Sequence, residues 1–166
     1  MTEPKVVLKN VHFGYSREWG EGGRFDADVW INGVKCMKVI DEGNGGCYDY
    51  GYECTPQAKA NIKLLEDYLK ATPKYNYGEG IDMFMADVLN VQEKAKEYKK
   101  MEKLFNTAIV FGVPNTGRYV YLNYKRSLSE VPTMILQKKL DEVCQKYCKD
   151  GVKILNTNLD ELGIDI

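Results

Sequence analysis

A single histidine, His12, leaves almost nothing from which to build a Ser-His-Asp or Cys-His constellation. It stands in an extended stretch, where a lone histidine reads as structural. Neither charge predominates: 23 Lys and Arg face 24 Asp and Glu, a formal net charge of -1, which excludes coating of nucleic acid or of an anionic membrane by bulk electrostatics. No acidic or basic tail is present. No apolar run approaches the roughly 20 residues that a membrane helix needs. The first residues lack an apolar signal-peptide core and a small-residue cleavage site, so a cytoplasmic location is expected. Five cysteines are an odd number in such a chain and point to reduced thiols instead of a disulfide framework.

What is present suits a folded globule. With 166 residues and a hydrophobic fraction of 44%, the chain is too apolar for disorder and long enough for one core. Folding at this length buries roughly 70% of the surface of the extended chain, so neither metal nor disulfide is needed. Residues 4–13 and 25–31 read as strands. In the second, Phe25, Ala27, Val29 and Ile31 share one side of a period-two pattern. Asn32 and Gly33 supply the two positive-φ residues of a type I′ hairpin turn, and residues 34–40 return as a third strand. Residues 14–24, rich in glycine and carrying Trp19, read as a mobile loop.

Thr55 and Pro56 form an N-cap and N1 pair, and Ala58, Ile62, Leu65 and Leu69 recur at helical spacing to about residue 71. A second helix is predicted over residues 81–105, along a stripe that includes Phe84, Met85, Val88 and Tyr98. Residues 108–113 and 118–124 form a second hairpin around Pro114, Asn115, Thr116 and Gly117. Ser129 is the predicted cap of a third helix, with Leu136, Leu140 and Val143 on its stripe and Gly151 after its C-cap. A short strand over 152–155 and one helical turn after Leu159 complete the chain. The predicted class is α+β, a single domain over 1–166. Its sheet is mostly antiparallel, from two hairpins with three main helices; residues 1–54 are β-rich, and 55–166 hold the helices and the second hairpin.

Two features stand out as a ligand site. Gly43, Asn44, Gly45 and Gly46 form a turn in which backbone N–H groups can converge on an anion, although no Walker lysine or complete dinucleotide fingerprint accompanies them. Tyr48, Tyr50 and Tyr52 follow at alternate positions, so an extended backbone turns all three rings one way, as a stacking surface or as a cover for the core. This segment carries an acidic excess, 9 acidic against 6 basic residues over 1–56, so an anion there must be held by directed donors and rings.

Other constellations are thinner. Cys47, Cys54, Cys144 and Cys148 could supply four thiolates to zinc, but their spacings are not zinc-ribbon knuckles. Asp26, Asp28 and Asp41 could hold a divalent ion for a metal-dependent enzyme; solvated carboxylates are the plainer reading. Tyr119, Tyr121 and Tyr124, ending in Lys125 and Arg126, match part of the RNP1 pattern of RNA-recognition domains over about six residues. The Lys94 to Lys103 run alternates with Glu93, Glu97 and Glu102 and reads as a solvated helix face.

The stretch Phe25-x-Ala27-x-Val29-x-Ile31-x-Gly33-x-Lys35, followed by Asp41, Glu42, Gly43, Asn44, Gly45 and Gly46, resembles a module of small uncharacterised accessory proteins of gut-type tailed bacteriophages. The C-terminal stretch 147–159 has a similar character. The resemblance implies a phage accessory or counter-defence protein in the host cytoplasm, and it carries no activity over. Together these readings favour a non-enzymatic binding protein without a cofactor, whose glycine turn and tyrosines recognise a phosphate-bearing ligand such as a nucleotide signal. The alternative is an inhibitor or adaptor that docks on a host protein through its tyrosines, a residue type enriched at interface hot spots. A homodimer is compatible with either.

Overall fold

Asn32 and Gly33 both adopt positive φ, 49° and 84°, the backbone of the type I′ turn that joins β2 (Gly23–Ile31) to β3 (Val34–Asp41). The computed structural model describes residues 2–15 and 23–164, without the side chain of Tyr15. Strand β1 (Val6–Tyr15) pairs antiparallel with β2, and β4 (Asp49–Tyr52) pairs antiparallel with β3, giving a four-stranded meander in the order β1-β2-β3-β4. Phe25, Ala27, Val29 and Ile31 are all buried, as the period-two pattern predicts. In β3 both Cys36 and Met37 are buried because the register shifts between Val29 and Trp30. A bulge of this kind turns two consecutive residues to one side.

Helix α1 (Pro56–Ala71) is capped by the Thr55 side chain, which accepts from the Ala58 N–H at 3.2 Å. It packs on β2 and β3. Its buried face is Ala58, Asn61, Leu65 and Leu69; the Asn61 amide donates to the Ile31 carbonyl at 3.1 Å and so ties the helix to the hairpin. Helix α2 (Gly80–Glu102) adds Phe84 and Met85 to this core, and its Gln92 side chain bonds both the N–H and the C=O of Leu8 in β1. Met1–Gln92 form the first of two compact units.

Glu93–Ile166 form the second. Strand β5 (Ala108–Gly112) is central in a three-stranded antiparallel sheet, flanked by β6 (Tyr119–Asn123) and by the two residues of β7 (Lys153–Ile154). All five residues of β5 are buried. Ile109 packs with Leu128, Leu136 and Leu140, while Ala108 and Val110 pack with Met101 and Phe105, so the strand feeds two separate clusters. Helix α3 (Thr133–Tyr147) supplies the first of them.

The chain is therefore α+β, with three α-helices and two antiparallel sheets among the described residues. Three local expectations are corrected. Residues 49–52 are a strand that the tyrosine-glycine composition hides. Ser129 does not cap α3: it lies in a 3-10 turn, Leu128–Glu130, and α3 starts at Thr133 after Pro132. Proline disfavours helical backbone in the residue before it, and Val131 is extended, with φ -91° and ψ 129°. Helix α3 ends at the Cys148 cap, three residues before Gly151. The single helical turn expected after Leu159 is present, as the 3-10 turn Asp160–Leu162. Of the loop expected at 14–24, residues 16–22 with Trp19 lie outside the described residues. No helix among the described residues is long and apolar enough to cross a membrane.

Candidate functional site

Gly43 and Gly45 adopt φ of 71° and 77°, the left-handed backbone that makes glycine the natural occupant of the turn. Two of its N–H groups are already bonded. Gly43 N–H donates to the Asp41 carboxylate at 2.8 Å, and Gly46 N–H donates to the Asn44 side-chain oxygen at 2.9 Å. An incoming anion would displace these bonds and meet the Asp41 charge.

The tyrosines serve the core as much as the surface. The Tyr48 ring meets Phe25 edge-on at 5.4 Å, and both Tyr48 and Tyr50 pack against the buried cluster. Asp82, in the first turn of α2, accepts the Tyr50 hydroxyl at 2.6 Å and the Tyr48 N–H at 3.0 Å. The Tyr52 ring stacks on Tyr50 at 6.2 Å and is 53% exposed, so it is the most accessible of the three. Sequence reasoning placed the three rings on one side and missed Asp82, whose only signal was a carboxylate at a helix start.

Burial, together with the bond to the neighbouring Asp82 carboxylate, pushes the Tyr50 hydroxyl well above its ordinary value of 10.0. Burial also raises Tyr48 and Tyr52. Above about pH 10 the unfolded chain releases these protons while the folded chain keeps them, so stability is full below that pH and falls as pH rises. Urea midpoints taken between about pH 8 and 11 are expected to decline. In Tyr50→Phe the decline is expected to be shallower; an unchanged slope would remove Tyr50 as a contributor.

The remaining predicted residues are dispersed. Asp26 and Asp28 pair with Lys38 at 3.1 Å and Lys35 at 2.9 Å, and these bonds hold both carboxyls below the ordinary range. His12 lies 3.7 Å from Asp26 on the same sheet. Cys144 and Cys148 sit on the last turn of α3 and its cap; burial and the Cys148 neighbour push the Cys144 thiol up to about 11. Cys47 and Cys54 flank β4 and are exposed. Among the described residues no three His, Cys, Asp or Glu side chains are placed to hold a metal ion.

A different site emerges in the second unit. A cleft of about 590 Å³ is lined by Lys94, Glu97, Tyr98 and Met101 of α2, by the β5-β6 turn with Arg118 and Tyr119, and by residues 154–157. This volume falls within the range of small-molecule sites, roughly 300–1,000 Å³. Asn115 and Gly117 take positive φ of 64° and 70° to form the turn. At Gly117 a Cβ would meet the Glu97 carboxylate, the movable end of a long side chain, so it is the positive φ that favours glycine here. Among the described residues neither Lys94 nor Arg118 has an ion-pair partner. Two free cations and two aromatic rings thus face a pocket containing one carboxylate. Sequence reading missed it because Lys94 and Glu97 look like an ordinary solvated helix face and Tyr98 like a member of the apolar stripe.

No family model matches this sequence, and no solved structure matches it. A curated relative, a UDP-N-acetylglucosamine 1-carboxyvinyltransferase of Prochlorococcus marinus (strain MIT 9515), is 26% identical over 187 aligned residues, covering 99% of this chain and 41% of the relative. The chain thus spans about two fifths of the length of the relative it matches.

Proposed function

We propose that the protein binds, without chemical turnover, a phosphate-bearing small molecule such as a nucleotide or nucleotide sugar in the cleft of its second unit. The observation that carries this reading is the placement of two cations, Lys94 and Arg118, without an ion-pair partner among the described residues, and two rings, Tyr98 and Tyr119, around one pocket of about 590 Å³. A guanidinium and an ammonium provide the charge-assisted bonds that phosphate oxygens accept, and tyrosine rings provide a face for a base or a sugar. The glycine turn supports the reading less well, because Asp41 and Asn44 already take two of its N–H groups. The relative's name refers to UDP-N-acetylglucosamine, itself a nucleotide sugar, which places that compound on the list to be tried.

Calorimetry against nucleoside mono- and diphosphates, cyclic oligonucleotides and UDP-N-acetylglucosamine tests it. One ligand is expected to bind, and Arg118→Ala and Lys94→Ala are each expected to weaken it about tenfold, the worth of one charge-assisted bond. Glu97→Gln, which removes the opposing charge, is expected to tighten it. A panel without heat, or binding indifferent to both cations, removes the proposal.

A further inference from the structure

Among the described residues four strands lie at sheet edges, and three of them are protected against further pairing. Strand β1 carries a register break between Lys9 and His12, and its Leu8 backbone is bonded by Gln92. Strand β4 has four residues, including Asp49 and Gly51, and β7 has only two. Bulges, charges and shortness are the usual ways in which edges are kept from recruiting another chain.

Strand β6 has none of these protections. Tyr119–Asn123 contains no charge, proline or glycine, and its register against β5 runs unbroken from Ala108↔Asn123 to Gly112↔Tyr119. Tyr124 N–H donates to the Thr107 carbonyl at 2.9 Å. The alternation of an antiparallel ladder then directs Leu122 and Val120 to β5 and turns the N–H and C=O groups of Tyr119, Tyr121 and Asn123 outward. Val120 is 62% and Tyr121 47% exposed. Both faces of β5 are buried, so this unit presents an edge and not the open aromatic face on which RNA bases stack.

The residues that flank β6 in the chain are basic, while the nearby carboxylates are Glu97 beside Gly117 and Glu142, which is paired with Lys139. Arg118, Lys125 and Arg126 bracket β6 without an acidic residue between them, and among the described residues none of the three has an ion-pair partner. Beside the strand, Leu122, Tyr124, Ile135 and Lys138, with the Lys139–Glu142 ion pair, line a shallow groove of about 420 Å³ that can take an apolar side chain. We propose that β6 is a docking edge for an extended acidic segment of a partner protein, which adds a fourth strand to the sheet and sets its carboxylates against Arg118, Lys125 and Arg126. Main-chain bonds supply affinity in this mode, and charge selects the segment.

Hydrogen exchange read by NMR on the full chain tests the proposal, with a capped heptapeptide of alternating glutamate and valine as the probe. The amides of Tyr119, Tyr121 and Asn123 are expected to exchange about tenfold more slowly with the peptide present. Tyr121→Pro removes an outward N–H and no bond to β5, so it is expected to abolish that protection. Lys125→Glu with Arg126→Glu, which leaves every backbone group in place, is expected to weaken binding about tenfold and serves if the proline variant does not fold. The proposal is overturned if these three amides are not slowed, or if a lysine-valine peptide slows them equally. It is equally overturned if protection grows with protein concentration alone, the mark of a second copy, or if an oligouridylate binds these tyrosines while the peptide does not.

Discussion

Replacing Asn156 with alanine is expected to destabilise the protein by about 3 kcal/mol, from two or more buried backbone groups left without partners at roughly 1–3 kcal/mol each. Strand β7 pairs with β5 only at Phe111↔Ile154 and Gly112↔Lys153, after which Leu155 N–H donates to the Val110 carbonyl at 2.8 Å. From there the Asn156 side chain continues the ladder. Its Oδ1 accepts from Val110 N–H at 2.7 Å and its Nδ2 donates to the Ala108 carbonyl at 2.9 Å, so the carboxamide acts as one more peptide group along a fully buried strand. Asn158 adds a bond to the Phe105 carbonyl at 3.1 Å. Asn156→Asp keeps the acceptor but sets a carboxylate oxygen against the Ala108 carbonyl, and it is expected to cost more than alanine. Urea denaturation of both variants is the measurement. A loss below about 1 kcal/mol for alanine would mean that water replaces the amide.

The parts of the fold that follow from short-range pattern were legible. Alternation over Phe25 to Ile31, the Asn32-Gly33 pair and the Thr55-Pro56 cap are local rules, and the backbone obeys each of them. What escaped depends on contacts distant in sequence. The Cys36 bulge breaks the alternation that the pattern assumes, and Pro132 overrides Ser129 as the boundary of α3. Strand β4 forms because β3 offers an unpaired edge, not because Asp-Tyr-Gly-Tyr favours extension. The cleft is the clearest case. Lys94 and Tyr98 gain meaning only once the turn at 114–117 and residues 154–157 close around them. Conversely, the glycine turn looked functional because converging N–H groups are visible in sequence, whereas the Asx bonds that occupy them are not.

The second large effect is expected at Asp82. Its carboxylate accepts the Tyr50 hydroxyl and the Tyr48 N–H, and so joins the start of α2 to the tyrosine segment of the first unit. Asp82→Ala is expected to cost about 2–3 kcal/mol, since bonds to a charged group are worth roughly 1.5–3 kcal/mol and the half-buried hydroxyl loses its acceptor. Tyr50→Phe, which keeps the ring, is expected to cost about 1 kcal/mol. The double variant is expected to fall short of the sum, because each single change already breaks the same bond. These variants also decide between the two binding sites. Lys94, Arg118, Tyr98 and Tyr119 all belong to the second unit, so a nucleotide held in the cleft should bind Asp82→Ala with unchanged affinity at temperatures where the variant remains folded. If affinity falls with Asp82→Ala and not with Arg118→Ala, the ligand lies at the glycine turn. Tyr48, Tyr50 and Tyr52 would then be its platform and not merely the cover of a core.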